Sequence, residues 1–229
     1  MLVWKNSIFV GAALALCLAA TGARAQLVFQ VDTVFNGSTP ASTPPWLTAT
    51  FNTVVTGQVQ LVLESHLNVA SEFIDEVTFN VDPSIVPSDL SIAQDPVANP
   101  VITSISNTTD NAQNLTGGGG AGHGFDVKLD WGSAAGVGRF NDSDVVTLTI
   151  TGTGITEDSF NFTNSGGADA HVGAHIQGIP GTAGTISGAV KDSSGGQPPS
   201  SVPEPGTWAQ LAGIGLSAGL LGLRRLHRA

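Results

Sequence analysis

The sequence predicts an all-β protein: an antiparallel β-sandwich of jelly-roll or immunoglobulin-like kind, followed by a single C-terminal transmembrane helix. Three observations point there. Apolar residues recur at every second position through the body of the chain, as where Phe125, Val127, Leu129 and Trp131 alternate with Gly124, Asp126, Lys128 and Asp130. Clusters of Gly, Pro, Asn and Asp interrupt these runs about every ten residues, the punctuation of short strands joined by turns. No segment of the body sustains a helical period, and only Asn68 to Glu76 is expected to form a short turn of helix.

The first element is a leader. Lys5 precedes an apolar segment from Ile8 to Ala20, and Ala23-Arg24-Ala25 places small residues where a signal peptidase reads them. Residues 1–25 are therefore expected to be a signal peptide and Gln26 the first residue of the mature chain. Cys17 lies inside this leader. Lipid attachment there is disfavoured, because Leu16 stands where a small residue is needed.

Residues 26–190 are expected to form the sandwich domain, a length that suits one core. Its strands are expected at Leu27 to Phe35, Trp46 to Val55, Val59 to Leu63, Val77 to Val81, Val101 to Ser106, Phe125 to Trp131, Val146 to Thr151, Ser159 to Thr163 and Val172 to Ile179. The competing architecture, a parallel β-helix, requires a repeat near twenty residues, and none is visible. Residues 191–201, ending Gln-Pro-Pro-Ser-Ser, have nothing to bury and read as a flexible linker.

Charge and cysteine content exclude several functions. Between Gln26 and Pro205 there are three cations, Lys128, Arg139 and Lys191, against eighteen carboxylates, giving 3 − 18 = −15. A body of that charge does not bind nucleic acid. The stretch holds no cysteine, so disulfides, a thiolate nucleophile and thiolate metal ligands are all excluded from it.

Several constellations invite a chemical reading. Asn141, Asp142 and Asp144 in a turn are a candidate calcium site, although the same residues are favoured in turns because they bond their own backbone. No glycine or glutamate sits where an EF-hand requires one. His171 and His175 share one face of a strand about 13 Å apart, too far to chelate one ion, and are expected on a solvated sheet face. Glu72, Asp75 and Glu76 read as a solvated acidic cluster. Gly117 to Gly120, with Gly122 and Gly124, form a hairpin tip with no phosphate-binding context. No nucleophile elbow or Ser-His-Asp pattern stands out, so no catalytic residues are assigned and the chain is not expected to be an enzyme. Trp46, after Pro44-Pro45, is the candidate for an exposed sugar-stacking ring, whereas Trp131 is expected in the core. Thr147, Thr149, Thr151 and Thr153 form a threonine ladder, a texture used by ice-binding surfaces but equally that of any wet strand face.

The tail is the last element and the most specific. Thr207 to Leu223 carries no charge, and seventeen helical residues at about 1.5 Å each cover about 25 Å, the short end of a membrane span. Arg224, Arg225 and Arg228 follow at once, where long cationic side chains reach the headgroups and hold the end on the cytoplasmic side. Pro203-Glu204-Pro205 precedes the span.

Taken together, residues 202–229 resemble the PEP-CTERM sorting signal of Gram-negative bacteria that make exopolysaccharide. The likeness covers about an eighth of the chain, and His227 and Ala229 stand where further arginine is common. It implies that Pro203, Glu204 and Pro205 are the recognition motif for an exosortase, a membrane-embedded transpeptidase-like enzyme that detaches the helix during export. The same tail also carries an ice-binding label in some descriptions. In texture, Glu76 to Ala93 and Phe125 to Ile179 resemble the sandwich domains that such tails accompany.

The expected function is that of an exported cell-surface or extracellular-matrix protein, structural or adhesive, associated with exopolysaccharide. The alternative is a carbohydrate-binding module of the matrix; a secreted hydrolase or an ice-binding protein follows at a distance. The expected partners are a signal peptidase, an exosortase, the membrane and exopolysaccharide. No cofactor is expected beyond calcium at the turn named above.

Overall fold

Ten strands form, most of them where the period-two runs lie. In the computed structural model, residues 26–96, 100–108, 113–115, 124–133, 138–163, 169–181 and 184–192 are described, with backbone only at 184–188. The leader with Ala23 and Ala25, residues 193–201 of the linker, the Gly117 to Gly120 tip and the tail from Val202 to Ala229 lie outside them. Among the described residues no helix is long and apolar enough to cross a membrane.

The strands are β1 (Gln26–Gly37), β2 (Leu47–Val55), β3 (Gln58–Ser65), β4 (Phe73–Phe79), β5 (Ser91–Gln94), β6 (Ile102–Ser106), β7 (Val127–Trp131), β8 (Val145–Thr151), β9 (Val172–Gly181) and β10 (Gly184–Asp192). They pair, all antiparallel, in the order β5-β8-β3-β2-β1-β10-β9-β4-β7-β6. The all-β antiparallel expectation therefore holds, but the strands make one ten-stranded sheet instead of the two separate sheets of a sandwich. The reason is β1. Its first half, Gln26 to Val31, pairs with β2, and its second half, Val31 to Gly37, pairs with β10 through two register shifts. Such irregularities bend a strand and sharpen its twist, so β1 turns the corner that would otherwise separate two layers.

The sheet curls until its edges meet. Asn107, just past β6, donates from its side-chain amide to the carbonyls of Pro87 and Leu90, both at 2.9 Å, just ahead of β5. At the other end of the same edge Gln94 donates to the Pro100 carbonyl and accepts the Ile102 N–H, both at 2.7 Å. Two side-chain amides thus span a seam where a barrel would have a backbone ladder.

Inside, Leu27, Phe29 and Val31 of β1 meet Leu47, Ala49 and Phe51 of β2 and their counterparts across the core. Phe51 lies at the centre. It stacks on Phe160 at 4.5 Å and 15°, and meets Phe79 of β4 edge-on at 5.6 Å, separations at which aromatic pairs add to their burial.

Several expected elements differ. Ser159 to Thr163 is not a strand: residues Glu157–Phe160 form a 3-10 turn. Thr156 and Ser159 cap that turn reciprocally, and Phe160 is delivered into the core. Asn68 to Glu76 holds a turn and the start of β4, with no helix. The linker expected from Lys191 begins later, because Lys191 and Asp192 pair with Gly173 and Val31 as the last residues of β10.

Candidate functional site

The residues that suggested chemistry are largely consumed by the fold. His171 is 8 % exposed and His175 is 3 % exposed, so the solvated face expected for them is not found. The sheet around β9 is covered on its outer side by a second apolar cluster of Leu115, Phe125, Ala170 and Ala189, with Phe35 against it. A Cβ on Gly173 of β9 would lie 3.1 Å from Leu115 and 3.2 Å from Phe125. This cover is built from distant chain and is invisible to strand alternation.

Each histidine is matched to its own aspartate. His171 Nδ1 lies 2.8 Å from Asp192 Oδ2, while Asp192 Oδ1 accepts the backbone N–H of His171 at 2.8 Å and of Val172 at 2.9 Å. The ring stacks on Phe29 at 4.6 Å. His175 Nδ1 lies 2.7 Å from Asp75 Oδ1, and Gln177 donates to the other oxygen of the same carboxylate. Asp75 reaches it because β4 carries an extra residue between Ile74 and Glu76 in its pairing with β9. The His175 Nε2 is buried and makes no hydrogen bond among the described residues.

The remaining acids of that cluster are also engaged. Glu72 is 1 % exposed, with its carboxylate accepting the N–H of Ala41 and both the N–H and the hydroxyl of Ser42. Lys128 sits 3.8 Å from Glu76 and 3.6 Å from Asp130. The solvated cluster expected from Glu72, Asp75 and Glu76 is therefore a set of internal ties, with Glu76 also buried.

Trp46 is 2 % exposed, which overturns its assignment as an exposed stacking ring. The Pro44-Pro45 bond is cis, and the indole N–H donates to the Ser42 carbonyl at 2.6 Å. Ser42 is a junction, its hydroxyl also accepting the N–H of Asn68 at 2.9 Å and of Val69 at 3.2 Å. Trp131 is in the core as expected, packed on Phe140 at 5.0 Å.

At the calcium candidate, Asn141 and Asp142 are exposed and Asp144 is half-buried. Asp144 Oδ2 accepts the Asn141 N–H at 2.7 Å, and the Asp144 N–H returns to the Asn141 carbonyl at 3.3 Å. The turn is closed by its own residues. Among the described residues no three His, Cys, Asp or Glu side chains come together to hold a metal. A cleft of about 460 Å³ lies at the seam, lined by residues of β5 and β6 such as Gln94, Ile102 and Ser104, with Asp95 as its one carboxylate.

The outer face of β1, β2, β3, β8 and β5 is different in kind. Register places Gln26, Asn52, Gln60, Thr149 and Ala93 in one row across five strands. Val28, Thr50, Val62 and Thr147 form the next row. The threonine ladder is thus one column of a wider array, and Thr153 falls outside it, beyond the end of β8. The outward face expected for Thr147, Thr149 and Thr151 is the one found, with Val146, Leu148 and Ile150 buried behind it.

Compared with known proteins, the chain matches no family model, and neither a curated protein nor a solved structure is similar to it at a significant level.

Proposed function

We propose that this is an exported protein of the cell surface or extracellular polysaccharide matrix, with a structural or adhesive role. One observation carries the reading: Pro203-Glu204-Pro205, the uncharged run Thr207 to Leu223 and the cluster Arg224, Arg225 and Arg228 follow one another at the end of the sequence. In this reading the leader directs export with cleavage before Gln26, the tail helix holds the chain in the membrane with its N-terminus outside, and processing at the Pro-Glu-Pro motif frees the β domain. The bonding of the β domain favours a non-enzymatic role, since His171, His175, Glu72 and Asp75 are tied to neighbours within the fold.

The test is the intact mass of the protein recovered from the surface and medium of its native cells. A chain beginning at Gln26 and ending near Pro205 is expected. Glu204→Ala is expected to leave full-length protein in the membrane fraction; release of that variant at the wild-type level would remove the sorting mechanism.

A further inference from the structure

The outer face of β1, β2, β3, β8 and β5 combines three properties. Its charged residues are Glu64 at one end of β3 and Asp32 just past the stretch of β1 that pairs with β2, and it is otherwise uncharged, although the body of the chain carries −15 (3 − 18 between Gln26 and Pro205). The ion pairs of the sheet lie on the other half, where Lys128 faces Glu76 and Asp130. Polar side chains of its first row are unspent: Asn52, Gln60 and Thr149 make no side-chain hydrogen bond among the described residues, whereas Thr48, two rows away, is bonded to His66 at 2.8 Å. Its rows alternate in character, since Val28 and Val62 flank Thr50 beside the amide and hydroxyl row.

These properties select an occupant. Rows of donors and acceptors about 4.8 Å apart across strands and about 6.8 Å apart along them match a ligand that is itself a ribbon of hydroxyls with C–H faces between them. The methyl groups of Val28 and Val62 cover the C–H face, and the amides of Asn52 and Gln60 with the Thr149 hydroxyl meet the hydroxyl edge, each able both to donate and to accept. A polyanion would be repelled by the acidic body at every approach. A second copy would bring another −15 and bury polar groups against a face offering no fixed partners for them. We infer that this face binds an extended, neutral polysaccharide chain. The inference rests on the matrix role proposed above and names the ligand class and the surface for it. Affinity per site is low without a stacking ring, and retention depends on many protein molecules and many repeats along one polymer.

The test uses the protein released from cells, with insoluble cellulose as the neutral glucan and immobilised alginate as the polyanion. Wild type is expected on cellulose, with retention unchanged from low to high salt, and not on alginate. The triple variant Asn52→Ala, Gln60→Ala and Thr149→Ala removes three outward groups and is expected to weaken retention at least about tenfold. The near-isosteric Asn52→Asp with Gln60→Glu, checked for an unchanged thermal midpoint, is expected to do the same without truncating the face. No retention of wild type on cellulose, equal retention of both variants, preference for alginate, or a dimer in sedimentation that the same variants dissolve would each overturn the assignment. Intact mass measured on the same sample separates the two ideas: a correctly processed protein that ignores cellulose removes the glycan face alone, and an unprocessed one removes the sorting role.

Discussion

The Asp192 carboxylate holds three groups of the strand beside it: the ring Nδ1 of His171 at 2.8 Å and the backbone N–H groups of His171 and Val172 at 2.8 and 2.9 Å. Asp192 is 2 % exposed, so these bonds are made away from solvent. Asp192→Ala is expected to cost about 3 kcal/mol, the range for stranding buried polar groups. Urea unfolding checks it, as a lowered midpoint with an unchanged slope.

Gly178 of β9 has φ +74°, and a Cβ there would lie 1.7 Å from the Ser71 carbonyl oxygen. That contact is with backbone, which has no rotamer to move. Gly178→Ala is expected to destabilise the protein by more than about 2 kcal/mol. Gly173→Ala meets only side chains at 3.1 Å or more and should cost distinctly less. The two midpoints measured side by side decide whether the Ser71 turn is pressed against β9 as described.

Trp46 and Trp131 are the tryptophans between Gln26 and Pro205, and both are buried. Their fluorescence is expected to peak on the blue side of free indole and to resist quenching by acrylamide. Trp46→Ala would open a cavity beneath the Ser42 junction and cost about 3–5 kcal/mol, with no direct loss of a sugar contact. Retention on cellulose by whatever fraction of that variant stays folded should match wild type.

Asp82 supplies one pH-dependent contribution. Its carboxylate accepts the Ser84 N–H at 2.8 Å, and that bond, with a contribution from the Ser84 hydroxyl, holds its pKa below the ordinary 3.8. A carboxyl whose pKa is lowered by folding stabilises the folded state above its unfolded value, and that contribution disappears as pH falls through the folded value. The window therefore lies below 3.8. Carbon NMR is expected to place the Asp82 midpoint below 3.8 and, in Ser84→Ala, to move it only part of the way back, because the backbone N–H remains.

At the seam, Gln94→Glu keeps an acceptor for the Ile102 N–H but sets a carboxylate oxygen against the Pro100 carbonyl. The Ile102 amide is expected to exchange its hydrogen faster in Gln94→Ala than in wild type, with amides in β2 and β3 unchanged. Equal protection would mean that the side chain does not hold the edge.

Much of this architecture was legible from alternation. Val146, Leu148 and Ile150 point inward, and Thr147, Thr149 and Thr151 point outward, because a strand offers no other choice once one face is buried. What alternation could not supply was anything depending on a second layer. His171 and His175 looked wet because the groups that cover this part of the sheet, Phe29 on the His171 ring and Leu115 and Phe125 beside Gly173, come from more than forty residues away in the sequence. Trp46 looked exposed because two prolines precede it, whereas Ser42 and Glu72 draw that loop inward. β5 was missed because Ser-Ile-Ala-Gln has one large apolar side chain, and β10 because Gly184 and Gly188 hide its period. The partner carboxylates Asp75 and Asp192 have no sequence signature: a bulge supplies one and the end of the last strand the other.

The meeting of β5 with β6 bears on self-association at high concentration. An open sheet leaves two rows of backbone groups free to recruit strands from neighbours, the usual route to fibres. Here Gln94 and Asn107 tie one rim to the other, which hinders the approach of a further strand. Resistance to that route then has two sources of different kind, the amide side chains at the seam and the net charge of −15 (3 − 18) between Gln26 and Pro205.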